Sequence, residues 1–335
     1  MTNDSNNNLT FSVTAVITAY NSEKYIGRAI QSVLDQTQPV DEIIVVNDGS
    51  TDDCEQEILK FGDQITYIFQ KNQGASVARN TGINAANTTW IAFLDGDDEW
   101  LVEKNGVQSK MSKENPHLKW FSTNYFLCPC ESDCNTQQYS IAEDIGSKSD
   151  AQNNNCRCND FFTAFINNQY GHTGSMMITK ALLLQAGNFK VGLKRMNDFD
   201  MWFRLAYIED TICYNTQPLI VYHIGTPESI IKKELSPDYC ITFIDEHTPM
   251  AKAHHKLDAF LPCARSIVQF WIRLMLTNNN GHGARKLIIG YRKHFSVYAQ
   301  VTLIVHSFFP RLGRWYNLKK NIDRFSINPS QLTEY

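Results

Sequence analysis

The sequence predicts an α/β fold: a Rossmann-like, mostly parallel central sheet flanked by helices, with an all-helical region added at the C-terminal end. Three observations predict it. Short apolar runs alternate with helix-period segments through the first hundred or so residues, the pattern of a right-handedly wound parallel sheet. The run Trp90-Ile91-Ala92-Phe93-Leu94 stops abruptly at Asp95-Gly96-Asp97-Asp98-Glu99, as a strand buried on both faces does when it reaches the sheet edge. From about residue 236 the strand signals cease and only helical patterns remain.

Ser12 to Thr18 is β-rich and runs into Ala19-Tyr20-Asn21, after which Ser22 caps a helix whose Tyr25, Ile26, Ala29, Ile30, Val33 and Leu34 fall at helical spacing. Glu42 to Val46 is a second strand. Asn47-Asp48-Gly49-Ser50 closes it, with Gly49 permitting a tight turn and Thr51 capping the next helix. Thr66 to Phe69 is a third, short strand, and Gly74 opens a helix containing Ala75, Val77, Ala78, Arg79 and Ile83. The Trp90 strand follows. Parallel winding places the loop tips on one edge, which therefore collects Thr18, Tyr20, Asp48, Arg79 and the acids from Asp95. Three carboxylates there repel one another. A hard divalent cation, Mg²⁺ or Mn²⁺, would resolve the conflict, whereas a solvated acidic turn with an Asp capping the next helix would avoid it.

Further on, Trp120 to Phe126 is a strand, and Cys128 to Asn159 is polar, cysteine-bearing and without period, which reads as a long insertion loop. Asp160 to Asn167 is a helix. Gly171-His172-Thr173-Gly174 precedes the apolar Ser175 to Ile178, and Leu182 to Ala186 is a helix ended by Gly187. Met196-Asn197-Asp198-Phe199-Asp200 leads into Met201, Trp202, Leu205 and Ala206 at helical spacing, so Asp198 lies at a helix start, where the dipole favours its charge. Phe260 to Leu276 and Phe295 to Phe309 are apolar runs among Arg285, Lys286, Arg292, Lys293, Arg311 and Arg314; the second carries His306 and is short for a membrane span. Two arrangements suit them: interfacial helices on an anionic bilayer, or a bundle packed on the sheet domain.

The totals narrow the class. With 335 residues, 43% hydrophobic and 20% charged, the chain can bury one large α/β core with an appendage, or two domains. Met1 to Thr10 is polar and Asn-rich, which reads as a tail and not a signal peptide. Nine cysteines without a signal favour a reducing compartment. Five cluster at Cys128, Cys130, Cys134, Cys156 and Cys158, where free surface thiols are expected ahead of a zinc site, because CxC is tighter than the usual CxxC knuckle. The net charge of −4 hides a split: from residue 251 onward there are 13 Lys+Arg against 3 Asp+Glu, leaving 18 against 32 before it. The basic end suits an anionic surface. No GxGxxG follows the first strand and no GxxxxGK[ST] occurs, which removes the main support for dinucleotide and P-loop readings.

The motifs Thr18-Ala19-Tyr20-Asn21, Val46-Asn47-Asp48-Gly49-Ser50-Thr51-Asp52, Gly74-Ala75-Ser76-Val77-Ala78-Arg79-Asn80-Thr81-Gly82, Phe93-Leu94-Asp95-Gly96-Asp97-Asp98, Gly187-Asn188-Phe189 and Asn197-Asp198-Phe199-Asp200-Met201-Trp202 follow in order. Together they resemble the family 2 glycosyltransferases, enzymes of the GT-A fold, over about residues 11 to 225. The resemblance implies an inverting enzyme that moves a monosaccharide from a nucleotide-diphospho-sugar, a UDP-sugar by preference, to a hydroxyl of a glycan or lipid-linked glycan in polysaccharide or lipopolysaccharide assembly. It implies that Thr18, Tyr20 and Asp48 hold the base and ribose, that Arg79 faces the nucleotide or its diphosphate, and that Asp97, assisted by Asp95, holds Mn²⁺ or Mg²⁺. Asp198 matches the Asp of the family's Glu-Asp pair and would be the general base, with Asp200 as competitor. Asn197 stands where the Glu would be, a departure that bears on the acceptor. His172 and Thr173 would lie on the acceptor side, and Tyr222-His223 stands roughly where family members carry a His that reaches metal or phosphate; a structural His is the alternative.

The expected organisation is a polar tail over 1–10, a nucleotide-sugar-binding half over 11–100, an acceptor-binding half over 101–235 with the cysteine-rich insertion at 128–159, and a basic helical region over 236–335. Expected partners are the donor, the glycan acceptor and an anionic membrane surface, with no nucleic acid, and the expected location is cytoplasmic, peripheral on the inner membrane face. Two rivals remain: a non-catalytic nucleotide-sugar-binding or assembly protein, encouraged by Asn197, and a nucleotidyltransferase, disfavoured by Thr18-Ala19-Tyr20-Asn21 in place of a Gly-rich basic loop.

Overall fold

The computed structural model describes residues 11–128, 139–140, 156–223, 235–294, 303–305 and 307–308. The expectations for the tail over 1–10, for Cys130 and Cys134, and for His306, Arg311 and Arg314 lie outside them.

Four strands, β1 (Val13–Ala19), β2 (Glu42–Asn47), β3 (Thr66–Phe69) and β4 (Trp90–Asp95), form a parallel unit in the order β3-β2-β1-β4. Helices α1 (Ile26–Leu34), α2 (Cys54–Leu59) and α3 (Ala75–Ala85) connect them. The strands read as continuous apolar runs because both sheet faces are covered. On β1, Ala15 and Ile17 pack with Ile26, Ala29, Ile30 and Val33 of α1, while Val16 turns to the opposite face and meets Ala78 and Ile83 of α3. The helix starts lie slightly later than the expected caps: the Ser22 carbonyl accepts the N–H groups of Tyr25 and Ile26, and α2 begins after Asp53.

Beyond β4 antiparallel strands join the sheet, while parallel pairing still makes up most of it. The short β5 (Glu99–Trp100) is followed by α4 (Lys104–Glu114), β6 (Trp120–Cys128), β7 (Tyr139–Ser140), β8 (Cys156–Asp160), α5 (Phe161–Ile166), β9 (Met177–Thr179), α6 (Lys180–Gln185), α7 (Asn197–Ile208) and β10 (Thr211–His223). β9 inserts antiparallel between β4 and β6, and β6 pairs parallel with β10, giving the order β3-β2-β1-β4-β9-β6-β10-β5. β7 joins β6, and β8 joins β10. The register along β10 shifts on either side of Pro218, as suits a residue that cannot donate to a ladder.

Two corrections concern the cysteine-bearing segment expected as a loop. β8 lies within it, and Cys158 is disulfide-bonded to Cys213, its direct neighbour across the β8/β10 ladder. Cys128 is disulfide-bonded as well, while Cys54, Cys156, Cys240 and Cys263 are free. Cys156 to Asp160 has no apolar alternation, so nothing in its pattern announced a strand or placed Cys158 opposite Cys213.

The C-terminal region is helical as expected: α8 (Asp238–Ala253), α9 (Leu257–Thr277) and α10 (Gly281–Gly290). These helices extend the core on the α3 face of the sheet. Phe243, Phe260 and Trp271 belong to the same buried cluster as Val16, Phe161 and Phe203. Among the described residues α9 is long and apolar enough to cross a bilayer by composition, yet half of that window is buried inside the fold.

Candidate active site

The carboxyl ends of β1, β2 and β4 converge, with Thr18 in register with Asp95 and Ala19 with Asn47. The sheet therefore brings Thr18, Tyr20, Asp48, Arg79 and the acids of the β4 tip to one edge. The Thr18 hydroxyl donates to Asp95 Oδ1 at 3.2 Å, and Arg79 Nη2 donates to the same oxygen at 2.6 Å. Arg79 is buried beneath the Phe189 ring, its guanidinium 5.4 Å from the ring centre. Burial raises the pKa of Asp95, but the Arg79 charge and hydrogen bond outweigh it and hold the carboxyl below its ordinary value.

Asp48 is buried and well supplied with donors. Gln70 Nε2 and the Gln73 N–H reach Oδ1 at 2.7 and 3.0 Å, and the Gly74 N–H reaches Oδ2 at 2.7 Å. The carboxylate thus fixes the loop that opens α3, with about one of its four lone-pair sites left over. Tyr20 stands at the mouth, 43% exposed.

Behind the tip, Asp95, Asp98 and His172 bring ligand atoms within 4.8 Å of one another. Asp98 is fully buried; its Oδ1 accepts the His223 N–H at 2.9 Å, while Oδ2 has no hydrogen-bond partner among the described residues and lies 3.8 Å from His172 Nδ1. Burial, with the charges of Asp97 and Asp95 beside it, pushes the Asp98 carboxyl well above its ordinary value. An orphaned carboxylate oxygen facing a second carboxylate and an imidazole is a donor set that fits a divalent cation, with the nitrogen favouring Mn²⁺ over Mg²⁺. Asp97 is outside this trio. It is half-buried, and its carbonyl accepts from Arg28 Nη2 at 3.3 Å.

His172 owes its position to the turn it starts. Its Nδ1 accepts the Gly174 N–H at 3.3 Å, its carbonyl accepts the Ser175 N–H, and its ring stacks on Tyr222 at 4.0 Å. Gly171 before it has φ +75°, and an added Cβ would lie 2.1 Å from Ser122 Oγ and 2.2 Å from Ser175 Oγ, so only glycine fits. Thr173 is buried under the turn. Burial lowers the His172 pKa, opposed by Asp95 and Asp198. His223 is itself buried, with Nε2 3.0 Å from Glu99 Oε1.

α7 starts after Met196, whose φ is +60°. Asp198 Oδ1 accepts its neighbour's N–H, from Phe199, at 2.8 Å, and its charge reaches Tyr125, Tyr170 and His172. Asp200, its rival on sequence, is only 1% exposed and committed: Arg204 Nε and Nη2 reach Oδ2 at 3.0 and 2.6 Å, and His247 Nε2 lies 3.2 Å from Oδ1. Asn197 links the two halves, with Nδ2 3.4 Å from Ser76 Oγ on α3. The motifs did not reveal Tyr125, Tyr170 or His247, and Asp98 stood among the acids without a role; its place as the third acid after an apolar run was the signal available.

The sequence model described as glycosyl transferase family 2 matches residues 14–118. An uncharacterized glycosyltransferase of Rickettsia bellii is 42% identical over 106 residues, 31% of this chain and 15% of the relative. The putative teichuronic acid biosynthesis glycosyltransferase TuaG of Bacillus subtilis is 40% identical over 106 residues, 30% of this chain and 42% of the relative. The matches thus span a minor part of these relatives' length. In fold, the chain is similar to S. aureus TarS 1–349 in complex with UDP-GlcNAc, with TM-score 0.61 and 15% identity over 92% of each chain.

Proposed function

Residues 14–118 are a family 2 glycosyltransferase domain within a GT-A fold, and from that premise we propose that the protein is a metal-dependent, inverting glycosyltransferase. It transfers a monosaccharide from a nucleotide-diphospho-sugar, a UDP-sugar, to a hydroxyl of a glycan or lipid-linked glycan. The observation that carries this reading is an acid and imidazole cluster able to take a cation, with a half-buried Asp198 whose charge reaches the cluster's His172 and whose neighbour Asp200 is sequestered. The UDP-GlcNAc bound by TarS supports the donor class.

In this reading Thr18, Tyr20 and the remaining lone pair of Asp48 receive the base and ribose, and the rigid fork of Arg79 sets the charge balance at Asp95 beside the diphosphate. Asp95, Asp98 and His172 would hold the cation, with the Asp97 carboxylate next to them. A bound Mn²⁺ or Mg²⁺ supplies Lewis-acid neutralisation of the leaving diphosphate. Asp198 takes the proton of the acceptor hydroxyl as its oxygen bonds to the anomeric carbon; the bond from that carbon to the diphosphate oxygen breaks, and the nucleoside diphosphate leaves. Direct displacement inverts the centre. Asn197 leaves the base without the usual carboxylate beside it, so acceptor orientation falls to other groups near Asp198, Tyr125 and Tyr170. The basic C-terminal region supports a peripheral location on an anionic inner membrane face.

The test is UDP release from a panel of UDP-sugars with and without Mn²⁺. Mn²⁺-dependent release from one sugar is expected, falling by about 10²-fold or more in Asp198→Asn. Tight UDP binding without turnover by the parent chain would instead favour a non-catalytic binding protein.

A further inference from the structure

The base candidate sits on a helix end that its own residues do little to hold. Met196 before α7 has left-handed φ and makes no side-chain cap, and within the first turn Asn197 Oδ1 and Asp198 Oδ1 accept only the N–H of the next residue, at 3.0 and 2.8 Å. Such a turn frays unless something else fixes it. Two residues after Asp198, Asp200 points about 200° away round the helix axis, into the protein.

There it meets α8. His247, fully buried, lies with Nε2 3.2 Å from Asp200 Oδ1 and Nδ1 3.1 Å from the Tyr207 hydroxyl. With the proton on Nε2, the imidazole donates to Asp200 and accepts from Tyr207, which satisfies both ring nitrogens. Asp200 and Tyr207 stand seven residues apart on one face of α7, so a single ring bridges two of its turns. The ring is held flat against Phe243 at 4.2 Å and cannot swing aside. Burial opposes charge on Asp200, but the His247 and Arg204 hydrogen bonds outweigh it. Next to His247 on α8, Glu246 pairs with Lys190 at 2.6 Å. Lys190 belongs to the segment leading into α7, so α8 grips the chain both before and after Asp198.

We infer that α8 sets the position of Asp198, with His247 as its positioning residue acting through Asp200; this rests on the reading of Asp198 as the base. The argument is one of tolerance. A reacting group displaced by about 1 Å loses about 10²-fold in rate, and the Asp200 network is the buried polar tie from the first turn of α7 to α8, beside the Phe199 ring packed on Phe165 and Tyr170.

The experiment uses the full-length protein, with steady-state UDP release giving kcat and donor KM, and UDP titration reporting the donor half. Two amides separate positioning from packing: in His247→Gln the amide nitrogen occupies the place of Nε2 and still donates to Asp200, whereas in His247→Asn it matches Nδ1 and does not reach. His247→Gln is expected within about threefold of the parent kcat, and His247→Asn and His247→Ala lower by about tenfold or more at unchanged donor KM and UDP affinity. Equal kcat in all three variants overturns the inference. So does a fall in kcat that comes with lost UDP binding in all three, because that is a general structural effect. Asp198→Asn run alongside keeps the two readings apart: full activity there refutes the base, whereas an inactive Asp198→Asn beside unimpaired His247 variants refutes the positioning role alone. No turnover by the parent chain overturns both.

Discussion

Asp98 is the residue where the site's design conflicts most with its own stability. Its carboxyl is enclosed beside Asp95 and Asp97, one oxygen lacks a partner among the described residues, and its pKa is raised by burial first and by those charges second. A carboxyl with a raised folded pKa stabilises the fold fully below the ordinary carboxylate range, and that stability is lost as pH rises through the folded value. Asp98→Asn keeps an oxygen for the His223 N–H and removes the charge. In EDTA its melting midpoint is therefore expected above the parent's at pH 8, with the gap closing as the pH is lowered towards 4. With Mn²⁺ added, the parent midpoint is expected to rise and the variant's to stay, since only the parent gains by binding. Thermal melts across pH with and without Mn²⁺ check both; a variant less stable by the same amount at every pH in EDTA would contradict the charge argument. Asp95 and Asp198 were legible from motifs because each lies at the end of a regular element. The grouping of Asp98 with His172 was not, since 74 residues separate them and only the fold supplies the distance.

At the scale of elements, α3 carries Arg79 to Asp95 at the β4 tip and lies close against β1. A Cβ added at Gly82 would fall 2.3 Å from Val16 Cγ1. Gly82→Ala must push the helix and strand apart and is expected to cost about 1–3 kcal/mol. Val16→Ala removes the obstructing methyl and has its own cost from lost packing, but the double variant is expected to be more stable than the sum of the two losses by about 1 kcal/mol or more. Denaturant unfolding of the four chains measures this coupling, and strict additivity would show that α3 finds another seat without strain. The middle of α3 is also fixed: Asn80 exchanges two hydrogen bonds with the Phe189 backbone at 2.8 and 2.9 Å. The parallel half of the sheet was readable because strands buried on both faces leave continuous apolar runs between turn residues. The mixed half was not. β5 has two residues and β9 three, too few for a period, and β10 is broken in register around Pro218. The cysteines misled for the same reason, because pairing Cys158 with Cys213 depends on a strand whose residues show no apolar alternation.

For the whole molecule, the change of pattern near residue 236 marks a helical region expected either on a bilayer surface or packed on the sheet domain, and its aromatic residues pack on the sheet half. Phe203 of α7 meets Phe243 of α8 at 5.5 Å, Phe260 of α9 at 5.5 Å and Phe161 of α5 at 5.1 Å between ring centres. These rings join the sheet half to the C-terminal helices in one buried cluster. A chain ending at residue 235 would expose Phe161, Phe162, Phe203 and Tyr207 together. At roughly 1.5–3 kcal/mol for each large side chain, that loss matches a total stability of about 5–15 kcal/mol. The truncated chain is therefore expected to aggregate or to melt without cooperativity, and the full chain to unfold in one transition, with tryptophan fluorescence from Trp202 and Trp271 coinciding with far-ultraviolet circular dichroism. A 235-residue chain that folds cooperatively and binds UDP as tightly as the parent would show that the helices are an appendage. The expected result would mean that the region beyond the family domain is part of the machinery that holds Asp198. Its basic outer charge would then be carried on a layer that cannot move independently of the cleft, so contact with an anionic surface would orient the site together with the helices.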